Sequence, residues 1–443
     1  MRQALFASQA AAPGAHGLPA SESRLSRTQV RMLAIAMMGG ALEYYEFIVF
    51  GFMVPTLSQV FFSKASEPWL NTLQTLAIFA VGYLVRPIGG IFLSALGDRL
   101  GRKRVFVVTL VLMATPTFLI GLLPTYAQIG ILSPLLLIAC RMCQGLALGA
   151  EIPSALTFVV EHAPERRTGF AIGLLGSGLT IGSLIGITAV GAISLGFSKE
   201  DVTAYAWRIP FVLGGLMGLL SAALRKYAHE TPVFAQMAAR KSLNRAMPVR
   251  ELLTKARPEL LIAFLASLAS NALVQTVVLF PSTFLQSELH LPAGAVHNAE
   301  AGLIAVTVFS VVCGGWLMDW LGWMKAISIA AVGLIAALIN VYAAPTPENL
   351  SFNMALLGIP CAIIMMLNNH TVRVFPAQIR ITGIAAAHGI ATGVAGGVLP
   401  ILMGYLTHVE RETIVLVPAA VALMTVAITP LAIKNRKPLQ FQG

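Results

Sequence analysis

A chain of 443 residues that is 57% hydrophobic and 11% charged lies far from the roughly 25% charged content of soluble domains, and its mean hydropathy is +0.79. A water-soluble fold of this make-up is excluded because it would leave most of its apolar surface wet. The net charge of +11 then reads as basic residues beside an anionic membrane leaflet, with no nucleic-acid partner implied.

A helix crossing a hydrocarbon core of about 30 Å needs roughly 20 apolar residues, so the chain has room for about twelve. Residues 1–31 are rich in Ala, Gly and Ser, carry Arg2, Arg24 and Arg27, and hold no continuous apolar run. They are expected to be a disordered cytosolic tail and not a cleaved signal peptide. Spans are predicted at 32–60, 71–96, 105–124, 134–160, 169–193, 207–225, 259–285, 299–320, 326–344, 352–374, 382–407 and 413–433.

The longest polar stretch, 226–258, falls between the sixth and seventh spans and contains Arg240, Lys241, Arg245, Arg250, Lys255 and Arg257. It divides an N-terminal six-helix bundle, 32–225, from a C-terminal one, 259–433, which is followed by a cytosolic tail, 434–443. With both termini in the cytoplasm, only Lys64, Lys199, Arg208 and Arg411 fall on outer segments, and only Arg86 and Arg141 inside spans. All other Lys and Arg residues are then cytoplasmic, as the positive-inside rule requires. Cys140, Cys143, Cys313 and Cys361 all lie in apolar runs, so no disulfide framework is expected, and the C-x-x-C pair reads as two small core residues.

Between spans two and three the chain reads G-D-R-L-G-R-K-R, Gly97 to Arg104, and between spans eight and nine G-W-L-M-D-W-L-G-W-M-K, Gly315 to Lys325. Both place an Asp three residues before a Gly with a cation beyond, at equivalent positions of the two halves, which is an internal-repeat signal. These loops resemble the signature of the major facilitator superfamily. The resemblance implies an all-α membrane protein of twelve transmembrane helices in two six-helix bundles, whose latch loops lock the halves together on the cytoplasmic side. Asp98, Arg99, Gly101, Arg102 and Lys103 match the first copy, with Ser94 in place of its leading glycine. Gly315, Asp319 and Gly322 match the second, where Trp320 and Trp323 replace the usual cations. The second latch is therefore expected to be weaker in charge pairing.

Seven further stretches resemble, in order, the metabolite:proton symporters of that superfamily. They are E-Y-Y-E-F (Glu43 to Phe47), R-P-I-G-G (Arg86 to Gly90), R-M-C-Q-G-L-A-L-G-A-E (Arg141 to Glu151), E-H-A-P-E-R-R-T-G-F (Glu161 to Phe170), W-R-I-P-F (Trp207 to Phe211), E-T-P-V-F (Glu230 to Phe234) and F-P-A-Q-I-R (Phe375 to Arg380). The family resemblance implies proton-coupled movement of a small polar solute, an organic acid or a zwitterion, across the inner membrane.

A charge at the middle of a span costs roughly 2.5–3.5 kcal/mol, so such residues face a cavity or a partner. Glu43 and Glu46, three apart on span one, share a face, and Gly39 and Gly40 one turn earlier permit a bend or a close approach. Helical geometry gives Arg141, Gln144 and Glu151 of span four one broad polar face toward a central cavity. Glu43, Glu46, Arg141 and Glu151 are the candidates for proton coupling, because a carboxylate balanced between desolvation and a nearby arginine changes charge with the side it faces. Tyr44, Tyr45, Arg86 and Gln144, with Asn271, Gln275 and His388 of the second half, are the candidates for contact with the solute.

Of the second half's other polar residues, Asn368 to His370 precede Arg373 and F-P, and His370 reads as a loop histidine. Span five is studded with Gly173, Gly176, Gly178, Gly182 and Gly186, and span eleven with Gly389, Gly393, Gly396, Gly397 and Gly404, spacings that permit close packing and rocking. No H-E-x-x-H, G-x-S-x-G or phosphate-cradling loop occurs, so no enzyme, cofactor or metal is expected. The expected partners are the solute, the proton and the lipid bilayer, with the chain a monomer. An exporter of a carboxylate metallophore or drug with the same fold is the alternative reading, and a channel has no use for paired latch loops.

Overall fold

The computed structural model describes residues 26–63, 67–225, 230–239, 252–254, 256–287, 289–343, 345–437 and 439. Among these residues, twelve helices are long and apolar enough to cross a membrane. In chain order they are α1 (Arg27–Val60), α2 (Pro68–Leu100), α3 (Arg102–Leu122), α4 (Leu132–His162), α5 (Thr168–Gly196) and α6 (Arg208–Arg225). The second six are α7 (Arg257–Leu273, prolonged through a π-helical turn Val274–Leu279 and Phe280–Ser287), α8 (Ala293–Leu321), α9 (Trp323–Ala343), α10 (Pro347–Leu357 and Ala362–Arg373), α11 (Arg380–Val409) and α12 (Thr413–Lys434). Each predicted span falls on one of them.

Apolar runs of this length become helices because hydrocarbon offers the backbone no partner but itself. Prolines 55, 87, 116, 153, 418 and 430 lie inside these helices, as neighbouring helices in a membrane bundle allow. Helix α1 begins at Arg27, ahead of the expected 32, because Ser26 and Gln29 form a capping box. The rest of the expected N-terminal tail, 1–25, lies outside the described residues, as do 438 and 440–443 of the C-terminal one. Of the expected central loop, the described portion includes a short helix, Pro232–Ala239, and α7 already starts at Arg257.

The two halves repeat one packing scheme. Helix α1 packs on α5 as α7 packs on α11, α2 on α4 as α8 on α10, and α3 on α6 as α9 on α12. Across the halves α2 meets α11, and α8 meets α5. The glycines of α5 serve these contacts: a Cβ at Gly169 would lie 2.4 Å from the Gly315 carbonyl oxygen, one at Gly173 2.5 Å from that of Val311, and one at Gly182 1.9 Å from that of Ala41. Helix α11 differs, since Gly393, Gly397 and Gly404 face open space.

Both latch turns need their glycine for the backbone. Gly101 has φ +118° and Gly322 φ +85°, with ψ of 141° and 160°, a region essentially closed to residues with a Cβ. This gives a physical reason for the repeated Asp-x-x-Gly: the glycine permits the abrupt turn that ends one helix and starts the next. Gly322→Ala meets no neighbour, so its cost is backbone strain alone, about 1–3 kcal/mol. We expect a lower thermal midpoint in detergent for Gly322→Ala, and an unchanged or higher one for Gly393→Ala, where a helical glycine facing open space gains up to about 1 kcal/mol from added helix propensity.

Candidate translocation site and latch

A cavity of about 380 Å³ lies between the halves. The N-terminal half contributes Glu43, Tyr44, Phe47, Tyr83, Arg86 and Glu151, and the C-terminal half Asn271, Gln275, Glu300, Asn368, His388 and Thr392. Glu43, placed by the middle of α1, is 3% exposed, and its Oε2 has no hydrogen-bond partner. The guanidinium of Arg86 on α2 lies 4.2 Å from the centre of the Tyr83 ring, and its Nε is also unpartnered. Across the cavity, Asn271 accepts from the Thr392 hydroxyl at 3.2 Å, and the Nδ1 of His388 is without a partner.

The other charges expected in the cavity are held more tightly. Arg141 meets Glu46 at 2.5 Å and donates to Gln144 Oε1 at 2.9 Å, while Gln144 Nε2 donates to Glu46 at 2.8 Å and to Thr117 at 2.9 Å. The Arg141 guanidinium sits 3.6 Å from the centre of the Phe50 ring. This cluster lines a void of about 10 Å³ beside the cavity, so Glu43 and Glu46, 60° apart on the helix, face different surroundings. Arg141 and Gln144 thus leave the cavity to Glu151 alone of the α4 trio. Tyr45 does not line it either, because its hydroxyl donates to the Pro210 carbonyl at 2.8 Å.

Glu151 meets Arg225, the last residue of α6, at 2.6 Å and accepts from the Thr109 hydroxyl. Arg225 also donates to the Phe106 carbonyl and stacks 3.4 Å from the centre of that ring. It enters through the gap left by Gly39, where a Cβ would come within 1.5 Å of Nη2. Sequence reasoning missed Arg225, which looked like one more cytoplasmic cation at a span end. It missed Glu300 too, although a carboxylate within a predicted span was the criterion already applied to the first half.

The latch residues converge at one end of the bundle. Asp98 pairs with Arg102 at 3.3 Å and accepts from the Thr382 backbone N–H and hydroxyl at 2.9 and 2.8 Å. Asp319 accepts from the backbone N–H groups of Gly169 and Phe170, both at 2.8 Å. Each aspartate thus caps the N-terminus of a helix in the opposite half, α11 or α5, where backbone donors lack intrahelical partners and the helix dipole favours negative charge. Arg102 donates to the Ala377 carbonyl at 2.5 Å and lies 3.5 Å from Glu161, which meets Arg380 at 2.7 Å. Arg99 is exposed, and Lys103 offers its backbone N–H to Glu230 at 3.2 Å.

The E-T-P-V-F stretch is spent on this end: Glu230 also accepts from the Arg102 N–H at 3.1 Å, Thr231 donates to Glu161 at 2.6 Å, and the Phe234 ring lies 5.0 Å from the Arg102 guanidinium. His370 is not in a loop. It is fully buried on α10, stacked 4.8 Å from Trp323, with Nε2 3.0 Å from the Thr429 hydroxyl. Every described hydrogen bond and ion pair between the two bundles lies at this latch end. All four cysteines are free, and Cys143 is exposed on the surface of α4.

Removing one partner of a buried ion pair leaves an uncompensated charge at a cost of about 3–5 kcal/mol. We expect Arg225→Ala to reduce the yield of monodisperse protein sharply in fluorescence-detected size exclusion. Gly39→Val should reproduce that loss by excluding the guanidinium, whereas Lys103→Ala, which keeps its backbone contact, should not.

A family model described as Major Facilitator Superfamily matches residues 36–375. The chain is 31% identical over 426 residues to a proline/betaine transporter of Salmonella typhimurium, covering 90% of this chain and 82% of that one. It is 30% identical to a glycine betaine/proline/ectoine/pipecolic acid transporter of Dickeya dadantii, with 90% and 81% covered. Among solved structures it is similar to the proton:xylose symporter XylE (TM-score 0.72, 14% identity, 90% of this chain and 94% of that one) and to FucP in its outward conformation (TM-score 0.68, 18% identity, 93% and 100%). With twelve spans in two repeating bundles, paired latches and a cavity between them, this multi-pass membrane chain is no enzyme but a secondary transporter, and it belongs to the major facilitator superfamily.

Proposed function

We propose that the protein carries a small zwitterion across the bacterial inner membrane in symport with protons, with Glu43 as the proton carrier and Arg86 as the group that receives the solute's carboxylate. The observation that carries this reading is a contrast among the five buried carboxylates of the described residues. Glu46, Asp98, Glu151 and Glu161 each meet an arginine nitrogen at 2.5 to 3.3 Å. Glu43 meets none and faces the cavity together with Arg86, an arginine that forms no ion pair within 4 Å.

Two opposite charges that share a cavity without pairing give a thermodynamic link between proton and solute. With Glu43 ionised, Arg86 has a compensating charge across the cavity. When Glu43 takes a proton, Arg86 is left uncompensated in a poorly solvated site, and a carboxylate from the solute restores neutrality. Proton and solute then favour each other's binding. The aromatic faces of Tyr44, Phe47 and Tyr83 suit the cationic end of a zwitterion. The relatives named for proline and betaines, and the structural neighbour named as a proton symporter, support the same choice.

Both termini and the latch end face the cytoplasm in this reading, so the described state is closed on the inside with its cavity available to the outer side. The test is uptake into proteoliposomes with an imposed pH gradient. Proline or glycine betaine should accumulate, and citrate or alpha-ketoglutarate should not. Accumulation of the dicarboxylates alone would overturn the zwitterion assignment, and efflux driven by the gradient would favour the exporter.

For Glu43→Gln we expect loss of gradient-driven accumulation with solute counterflow retained, because exchange needs no net proton movement. Arg86→Gln should weaken solute binding by about tenfold or more, the loss of a charge-assisted hydrogen bond of roughly 1.5–3 kcal/mol. Accumulation at the wild-type level in Glu43→Gln would remove that residue from the coupling.

A further inference from the structure

The two latches differ in a way that points to a third participant. In the first, the residue four after the aspartate is Arg102, and the residue three before the proline that follows α4, Pro164, is Glu161. Arg102 and Glu161 lie 3.5 Å apart within the N-terminal half. At the equivalent places of the second copy, four after Asp319 and three before Pro376, the proline that follows α10, stand Trp323 and Arg373. An aromatic has replaced the cation, and an arginine has replaced the acid.

Arg373 turns to the opposite half, where its Nη2 meets Glu165 at 3.2 Å. A second cation joins it from just beyond the end of α12. Arg436 Nη2 lies 3.3 Å from the same Glu165, and its guanidinium is 5.1 Å from the centre of the Trp323 ring. Lys437 fixes the segment, donating its backbone N–H to the Arg373 carbonyl at 2.7 Å and placing Nζ 3.3 Å from Glu259 near the start of α7.

We infer that Arg436 is the missing cation of the second latch, supplied by the C-terminal segment instead of by the latch loop, and that it helps hold the latch end closed. Trp323 is what makes the substitution workable. It offers a π face on which an arginine from elsewhere can rest, while the stacked His370 and the Arg373 guanidinium, 5.7 Å from the ring centre, keep the ring in place. The contacts to Glu165 cross between the halves, so they break when the latch end opens. Those of Lys437 stay within the C-terminal half and keep the segment docked. Arg436 is therefore a positioning residue that weights the closed state and touches no solute.

The inference rests on the alternating-access reading given above, and its test separates the two. Spin labels on the exposed positions Arg104→Cys and Lys325→Cys, in a background without the four native cysteines, report the distance between the halves at the latch end by pulsed electron resonance. Because Arg436 and Glu165 are both partly exposed, the pair is modest in strength. Arg436→Gln should raise the ratio of long to short distances about two- to fivefold. Arg436→Lys should restore the wild-type ratio, and in a Glu165→Gln background Arg436→Gln should add little, since the two act through one contact.

An unchanged distribution in Arg436→Gln, a shift that lysine does not rescue, or an effect that persists in full without Glu165 overturns the inference. Wild-type protein holding a single distance at every pH and with every solute would count against alternating access itself. A wild type with two distances beside an unresponsive Arg436→Gln variant would count against the latch role alone.

Discussion

A charge inside a membrane bundle is tolerated only with a counter-charge or water, and much of the arrangement of this protein follows from how each buried arginine and carboxylate meets that condition. Arg141 is held by Glu46 and two aromatic rings, Arg225 by Glu151 and Phe106, and Arg380 by Glu161. These pairs fasten helices to one another and neutralise each carboxylate with an arginine of its own. Glu43 and Arg86 are the pair left open, and they face the cavity between the halves. The proposed function rests on the part of the charge inventory that the fold leaves uncompensated.

The same condition explains the latches. Asp98 and Asp319 sit at a helix junction whose own end is closed by a glycine turn, and each finds its donors at the start of a helix in the other bundle. An interaction that crosses the seam and depends on a helix terminus is lost as a unit when the bundles rock apart, because the donors belong to a rigid helix. The glycines of α5 bring the backbones close enough for this, most visibly where Gly169 and Gly315 face each other. Strength at the latch end must stay limited, since a seam sealed too well would not cycle.

The twelve spans, the division into halves and the two latch turns were legible in the sequence, because each is a local pattern: apolar length, loop charge, and an Asp three residues before a Gly. Glu43, Arg86, Asn271, Gln275 and His388 were likewise found as polar residues on apolar helices, and they meet at one cavity. The partners were not legible. Whether Glu46 or Glu43 takes Arg141 depends on the rotation of α1 against α4, a difference of 60° that no single-helix pattern contains. Arg225 was hidden for a related reason, because a cation at a span end looks the same whether it reaches out to phosphates or folds back into the bundle. Gly39 was a visible trace of its path, but its meaning requires knowing which helix lies opposite. Tyr45 was misassigned by adjacency to Tyr44, which its hydrogen bond to Pro210 corrects.

The asymmetry between the halves carries the last step. A pseudo-twofold scaffold built from one packing scheme would place like charges in both bundles, yet all five buried carboxylates of the described residues lie in the N-terminal half, three paired with arginines of that half and Glu161 with Arg380 from α11. Around the cavity the C-terminal half presents amides, a histidine and one carboxylate, Glu300. The proposed function thus divides proton-responsive charge and solute-discriminating polarity between two bodies that move relative to each other. In the reading proposed above, a solute that bridges them, with its carboxylate on Arg86 and its remainder against Asn271, Gln275 or His388, draws the bundles together only after Glu43 has released Arg86 by taking a proton. On that proposal the division of labour between the halves is itself a coupling device: neither the proton nor the solute alone supplies the contacts that close the cavity.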